Sequence, residues 1–124
     1  MKYIKKINEH IEFDPNKKFV NGSIGDFFKD HGQINYRLYE DNILIFMGST
    51  VDKKYRGQGI FKKQLYELFN KFQNSDMFVP ITNKNIIELF LRNGFHIYDK
   101  PIRYWGKVKN GTNFFRPAGS WKPA

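Results

Sequence analysis

A chain of 124 residues has the length of one domain and can bury roughly two-thirds of its unfolded surface in a single core. Its 40% apolar content, with 13 Phe and 7 Tyr, excludes wholesale disorder, and the lack of cysteine excludes a disulfide framework and thiolate-bound zinc. The net charge of +9 is lopsided, with seven Lys/Arg against seven Asp/Glu in residues 1–50 and fourteen against five in residues 51–124. The second half therefore attracts anions: nucleic acid, an acidic surface or a phosphorylated cofactor.

The opening MKYIKKINEHIEF is basic but lacks the unbroken apolar stretch of a signal peptide, and no apolar run approaches membrane-spanning length. These features predict a soluble cytoplasmic protein, one domain over residues 1–124, with no membrane partner. Residues 3–11 mix apolar and charged positions and fit strand or helix. Ser23 followed by Asp26 resembles a helix N-cap with an acidic first turn, predicting a short helix over residues 23–31 stopped by Gly32. Ile34, Tyr36 and Leu38 alternate with polar neighbours as a half-buried strand does. Asp41-Asn42 is turn chemistry, so Ile43–Val51 is the second strand of a hairpin. Its start is apolar on both faces, which suggests a central position.

The segment VDKKYRGQGIF leads into a helix whose stripe is Phe61, Leu65, Leu68, Phe69 and Phe72. Residues 77–81 form a short apolar strand. Asn83 caps the next helix, which ends at Asn93-Gly94. Residues 95–98 and 102–108 read as strands, and Asn110-Gly111 as a hairpin turn returning through residues 112–116. Residues from about 110 to 124 form a short tail. The alternation of strand and helix from Ile43 to Tyr98 implies parallel pairing, with hairpins before and after it. The fold class is α/β, a mixed sheet with helices on its faces.

Arg56-Gly57-Gln58-Gly59 lies between a strand end and a helix start. Two glycines there permit a tight turn that points several N–H groups outward, and the helix dipole adds positive potential. Lys53, Lys54, Lys62 and Lys63 crowd the same spot, making a phosphate site or simply a glycine turn before a solvated basic helix. A Walker A loop would need a GK[ST] ending where Gly59-Ile60-Phe61 stands, and a dinucleotide fingerprint would need glycine at Lys62. No GxSxG is present. His10, His31 and His96 have no metal-ligand spacing, so no metal is expected. Tyr55, Tyr104, Trp105 and Trp121 lie near basic stretches, where aromatics stack on bases, pack, or line a groove.

Two segments together resemble the GNAT superfamily of acyl-CoA-dependent N-acyltransferases. Arg56-Gly57-Gln58-Gly59, after a strand closed by Val51, is similar to its Q/R-x-x-G-x-G/A phosphate loop. NKNIIELFLRNGF, from Asn83 to Phe95, is similar to its Asn-capped helix ending in Gly-Phe. The resemblance covers about residues 42–108 and implies a mostly antiparallel sheet whose parallel central strands, Ile43–Val51 and 77–81, splay to admit acetyl-CoA. It implies that the Val51 backbone orients the thioester, that Arg56, Gly57, Gln58, Gly59, Ile60 and Phe61 hold the pyrophosphate, and that Asn83 contacts pantetheine.

This sequence departs from the pattern in places. Phe61 replaces the last small residue of the loop, so its side chain must turn into the core. Phe90, among the cofactor-binding positions, replaces the tyrosine that commonly protonates the leaving thiolate. The strand Ile43–Val51 has no carboxylate or histidine, so the base is sought outside it, with Glu40, Tyr36 and His31 as candidates. The N-terminal region is short for the superfamily. The implied activity is N-acetyl transfer from acetyl-CoA to a primary amine. The alternative is a non-catalytic module of the same fold whose basic face engages nucleic acid such as tRNA or a protein partner; the oligomeric state is left open, a homodimer included.

Overall fold

A computed structural model describes residues 11–12, 17–81, 86–98, 102–104, 107–109 and 112–121. The strands are β1 (Ile11–Glu12), β2 (Phe19–Ile24), β3 (Gly32–Tyr39), β4 (Ile43–Val51), β5 (Asp76–Ile81), β6 (His96–Tyr98), β7 (Ile102–Tyr104), β8 (Lys107–Lys109) and β9 (Thr112–Arg116). The helices are α1 (Phe27–Asp30), α2 (Ile60–Lys71) and α3 (Ile87–Arg92). Six strands form one sheet in the order β2-β3-β4-β5-β9-β6, and β1-β7-β8 form a second. In the large sheet only the β4–β5 pair is parallel. The class is therefore α/β with a mostly antiparallel sheet.

β4 takes the central place that its doubly apolar start implies. Leu44 and Phe46 face α2 and α3, while Ile45 faces the opposite side with Phe78 and Phe115. The stripe of α2 packs on the sheet, burying Leu65, Leu68 and Phe69 completely, each worth about 1.5–3 kcal/mol. Phe61 and Phe72 are half-buried against the same core, so the Phe61 ring does point inward.

Three expectations are corrected. Ser23 is not a cap; it lies in β2, paired with Asn35, and helix α1 starts after Asp26, whose carboxylate accepts from the Phe28 and Lys29 N–H groups. The ladder with β3 takes precedence because it pairs the whole of residues 19–24. Residues 102–108 are not one strand, since β7 and β8 fold back antiparallel on each other. Residues 112–116 do not return beside them across Asn110-Gly111. They form β9, inserted between β5 and β6, so β6 lies beside β9 and not beside β5. The reason is burial: Phe114 faces the helices and Phe115 the opposite side, both fully covered, which only an interior strand allows.

Arg116 ends β9 and is fully buried. Its guanidinium carbon lies 4.7 Å from the ring centre of Phe69, 5.0 Å from Phe95 and 5.8 Å from Trp121. Its three nitrogens bond none of the described residues, and burial lowers its pKa to about 10.

Candidate functional site

The site begins where the β4–β5 ladder stops. Only Ile43↔Asp76, Leu44↔Met77 and Ile45↔Phe78 are paired, leaving residues 46–51 of β4 and 79–81 of β5 with no ladder between them. A bulge falls at the same point: Tyr36 pairs with Phe46 and Asn35 with Gly48, so Met47 is an extra residue on β4. Gly32 pairs with Val51, and the Asp52 N–H donates to the His31 carbonyl at 2.8 Å. That bond makes Gly32–Val51 a non-hydrogen-bonded pair, so the Val51 N–H and C=O point away from β3, into the fork. Consistent with this, the Val51 carbonyl accepts from Arg56 Nε at 3.4 Å rather than from β3.

Beyond Val51 the chain makes a 3₁₀ turn over Lys53–Tyr55, held by the Asp52 carboxylate accepting from the Lys54 N–H. Gly57 (φ 84°) and Gly59 (φ 79°) occupy left-handed conformations that side chains disfavour. An added Cβ would meet nothing within 4 Å at either, so conformation and not crowding requires glycine. Gly59 precedes α2 without any side-chain cap, leaving the first N–H groups of the helix for another acceptor. Here lies a cleft of about 460 Å³ lined by Ser49 and Val51, by Tyr55 and Arg56, by both glycines, and by Ile60, Phe61 and Lys62. Arg56 and Lys62 on its wall are exposed, as are Lys53, Lys54 and Lys63 next to them in the chain. Free amides, a helix N-terminus and these cations fit a phosphate-bearing ligand. Gln64, buried one turn along α2, anchors the helix by donating Nε2–H to the Gly32 carbonyl at 2.7 Å.

The candidate bases do not converge on this site. Glu40 follows the far end of β3, roughly 27 Å along the strand from the partner of Val51. It lines a separate apolar hollow of about 690 Å³ with Phe19, Val20, Leu38 and Tyr39. That hollow is larger than the cleft but has neither a helix N-terminus nor a glycine loop. Tyr36 is buried on the helix-facing side, its ring 4.8 Å from that of Phe72. Neither is a base for this cleft. His31 is at the right end, but its imidazole stacks on Tyr55, ring centres 3.7 Å apart. Phe90 is not on the cleft wall: it is fully buried among Phe46, Phe69, Phe95 and Phe114. Gln58 is exposed and outside the lining, and Asn83 lies outside the described residues. Among the described residues no three His, Asp or Glu are grouped to hold a metal. Ser49 also lines the cleft, and the sequence carries no signal for it beyond strand parity.

An acetyltransferase of the GNAT family from Staphylococcus aureus Mu50 has a similar structure, with TM-score 0.51 and 26% identity over 69% of this chain and 58% of that one. A Bacteroides thetaiotaomicron protein classed with the GNAT acetyltransferases matches at TM-score 0.57 and 19% identity, over 84% of this chain and 64% of its own. The fold is GNAT-like. This chain spans 58% and 64% of the lengths of those two proteins. No protein-family model and no curated protein matches the sequence. In this GNAT-like domain no described helix is long and apolar enough to cross a membrane.

Proposed function

We propose that the chain transfers an acetyl group from acetyl-CoA to a primary amine. The reading rests on one observation: the unpaired edge of β4 runs directly into the glycine loop and the uncapped start of α2. A pantetheine arm can pair along that edge while the pyrophosphate meets the amides of residues 57–62 and the side chain of Arg56. Similarity to the Staphylococcus aureus acetyltransferase supports the choice of acetyl donor.

The Val51 N–H, directed into the fork, donates to the thioester oxygen as it gains negative charge. The amine attacks the carbonyl carbon, the tetrahedral intermediate collapses, and the C–S bond breaks to release CoA thiolate. The proton lost by the amine reaches the thiolate through water. With no cysteine in the chain, no acyl-thiol enzyme forms. A thiol of pKa near ~8.5 leaves without much help, so proton loss from the amine is the harder half.

No described residue lining the cleft is a carboxylate or an imidazole. The acceptor must therefore enter already deprotonated, which favours amines of low pKa. At pH 7 an α-amine of pKa about 8 is neutral in roughly one molecule in ten, a lysine side chain in about one in 2,500. The substrate class is accordingly an α-amine or an aminoacyl ester. The test is a mass-spectrometric screen with acetyl-CoA over small amines, peptides and aminoacyl-tRNA. Acetylated α-amines are expected. Acetylation of lysine side chains in preference, or no product from any acceptor, contradicts the reading.

The same missing base favours a second reading, a GNAT-like module that binds without transferring. Its exposed Lys and Arg cluster then engages nucleic acid, with affinity falling steeply as salt rises. Absence of tRNA or DNA binding at ~50 mM salt rejects it.

A further inference from the structure

The cleft joins two features: amides suited to phosphate and a flat aromatic wall. Tyr55 is the wall. Its ring is half-exposed, lines the cleft, and stacks on the His31 imidazole with centres 3.7 Å apart and planes 7° apart. Both partners are fixed by backbone bonds. The Tyr55 N–H donates to the Asp52 carbonyl at 2.8 Å, and the His31 carbonyl accepts from the Asp52 N–H. A tyrosine ordered in this way loses little side-chain freedom when a ligand settles on it.

Beside this ring lie the exposed cations Lys53, Lys54 and Arg56. A preset aromatic face next to phosphate-binding amides suits a nucleotide, whose base stacks while its phosphates meet the loop. A thioester and its pantetheine arm need no such face. We infer that Tyr55, backed by His31, is the stacking platform for the adenine of CoA, and that the nucleotide half of the cofactor carries much of its affinity. The inference rests on the cofactor reading above. It also assigns His31 a positioning role: it holds the Tyr55 ring in place.

Calorimetric titration of the wild type, Tyr55→Phe and Tyr55→Leu with CoA and with 4′-phosphopantetheine, which lacks the adenosine, tests it. Stacking of one base predicts that Tyr55→Leu weakens CoA binding by about 5- to 100-fold. The same change should leave 4′-phosphopantetheine within about twofold, and Tyr55→Phe should keep CoA within about threefold, because the π face remains. CoA affinity unchanged in Tyr55→Leu overturns the inference alone, as does an equal loss for both ligands, which would make Tyr55 a shaper of the loop. A wild type that binds neither ligand overturns the cofactor reading and the inference together.

Discussion

Replacing Gly59 by alanine adds a Cβ to a residue held at φ 79° with nothing within 4 Å of the new atom. Steric contact therefore contributes nothing, and the whole effect is conformational. An L-residue in the left-handed region costs about 1–2 kcal/mol. Gly57, Gln58 and Gly59 are all exposed, so the free loop can escape this strain by turning its amides elsewhere. Binding must then restore the strained geometry, which raises the Kd for acetyl-CoA by about 5- to 30-fold while the fold loses less than about 1 kcal/mol. Gly59→Asn, whose side chain tolerates the left-handed region, should lose under about threefold. The assay is titration calorimetry with acetyl-CoA alongside thermal melting of each variant. Alanine binding like the wild type would refute the reasoning. Asparagine as damaging as alanine would show that the side chain, and not the backbone angle, disturbs the site.

Two more perturbations follow from burial. Phe90→Tyr places a hydroxyl in a fully apolar cluster, so it should cost about 1–3 kcal/mol of stability and raise the transfer rate less than about tenfold; a hundredfold gain in acetyl transfer across pH would mean that the ring reaches the cleft. Arg116 has a folded pKa near 10, lowered by burial from that of a free guanidinium, so the unfolded chain holds this proton more tightly. The charge thus costs stability below pH 10, on the order of 3 kcal/mol, and the cost fades as pH rises above 10. The three rings return about 0.5–2 kcal/mol each. Arg116→Met should therefore match or exceed the wild type in Tm at pH 7, with its advantage shrinking above pH 10. A loss of about 3–5 kcal/mol, as when a buried ion pair is broken, would reveal a partner for the guanidinium.

Local pattern reached further than pairing did. The bounds of Ile43–Val51 and the stripe of α2 are legible because strand and helix periodicities are written in neighbouring residues. The glycine loop is equally local: two glycines between a strand and a helix permit a tight turn, and both take the left-handed angles that such a turn can use. The place of β9 is not local. Asn110-Gly111 is good hairpin chemistry, yet the burial of Phe114 and Phe115 on opposite faces draws that strand between β5 and β6. Arg116 carries the charge of a surface residue, and only the assembled rings of Phe69, Phe95 and Trp121 make its interior position tolerable. The base candidates are dispersed for the same reason, with His31 alone of the three at the cleft end. Glu40, Tyr36 and His31 are near one another in sequence, but an extended strand sends them to its two ends and its buried middle.

The most direct measurement is a ¹H–¹⁵N spectrum of the uniformly labelled protein titrated with acetyl-CoA. Shifts confined to the amides of Val51, Tyr55 and residues 56–62, saturating at one ligand per chain, are the predicted result. Amides around the distant hollow, such as Val20 and Tyr39, should stay still. No shift at about 1 mM ligand, or shifts centred on that hollow, would contradict acyl-CoA binding at the glycine loop.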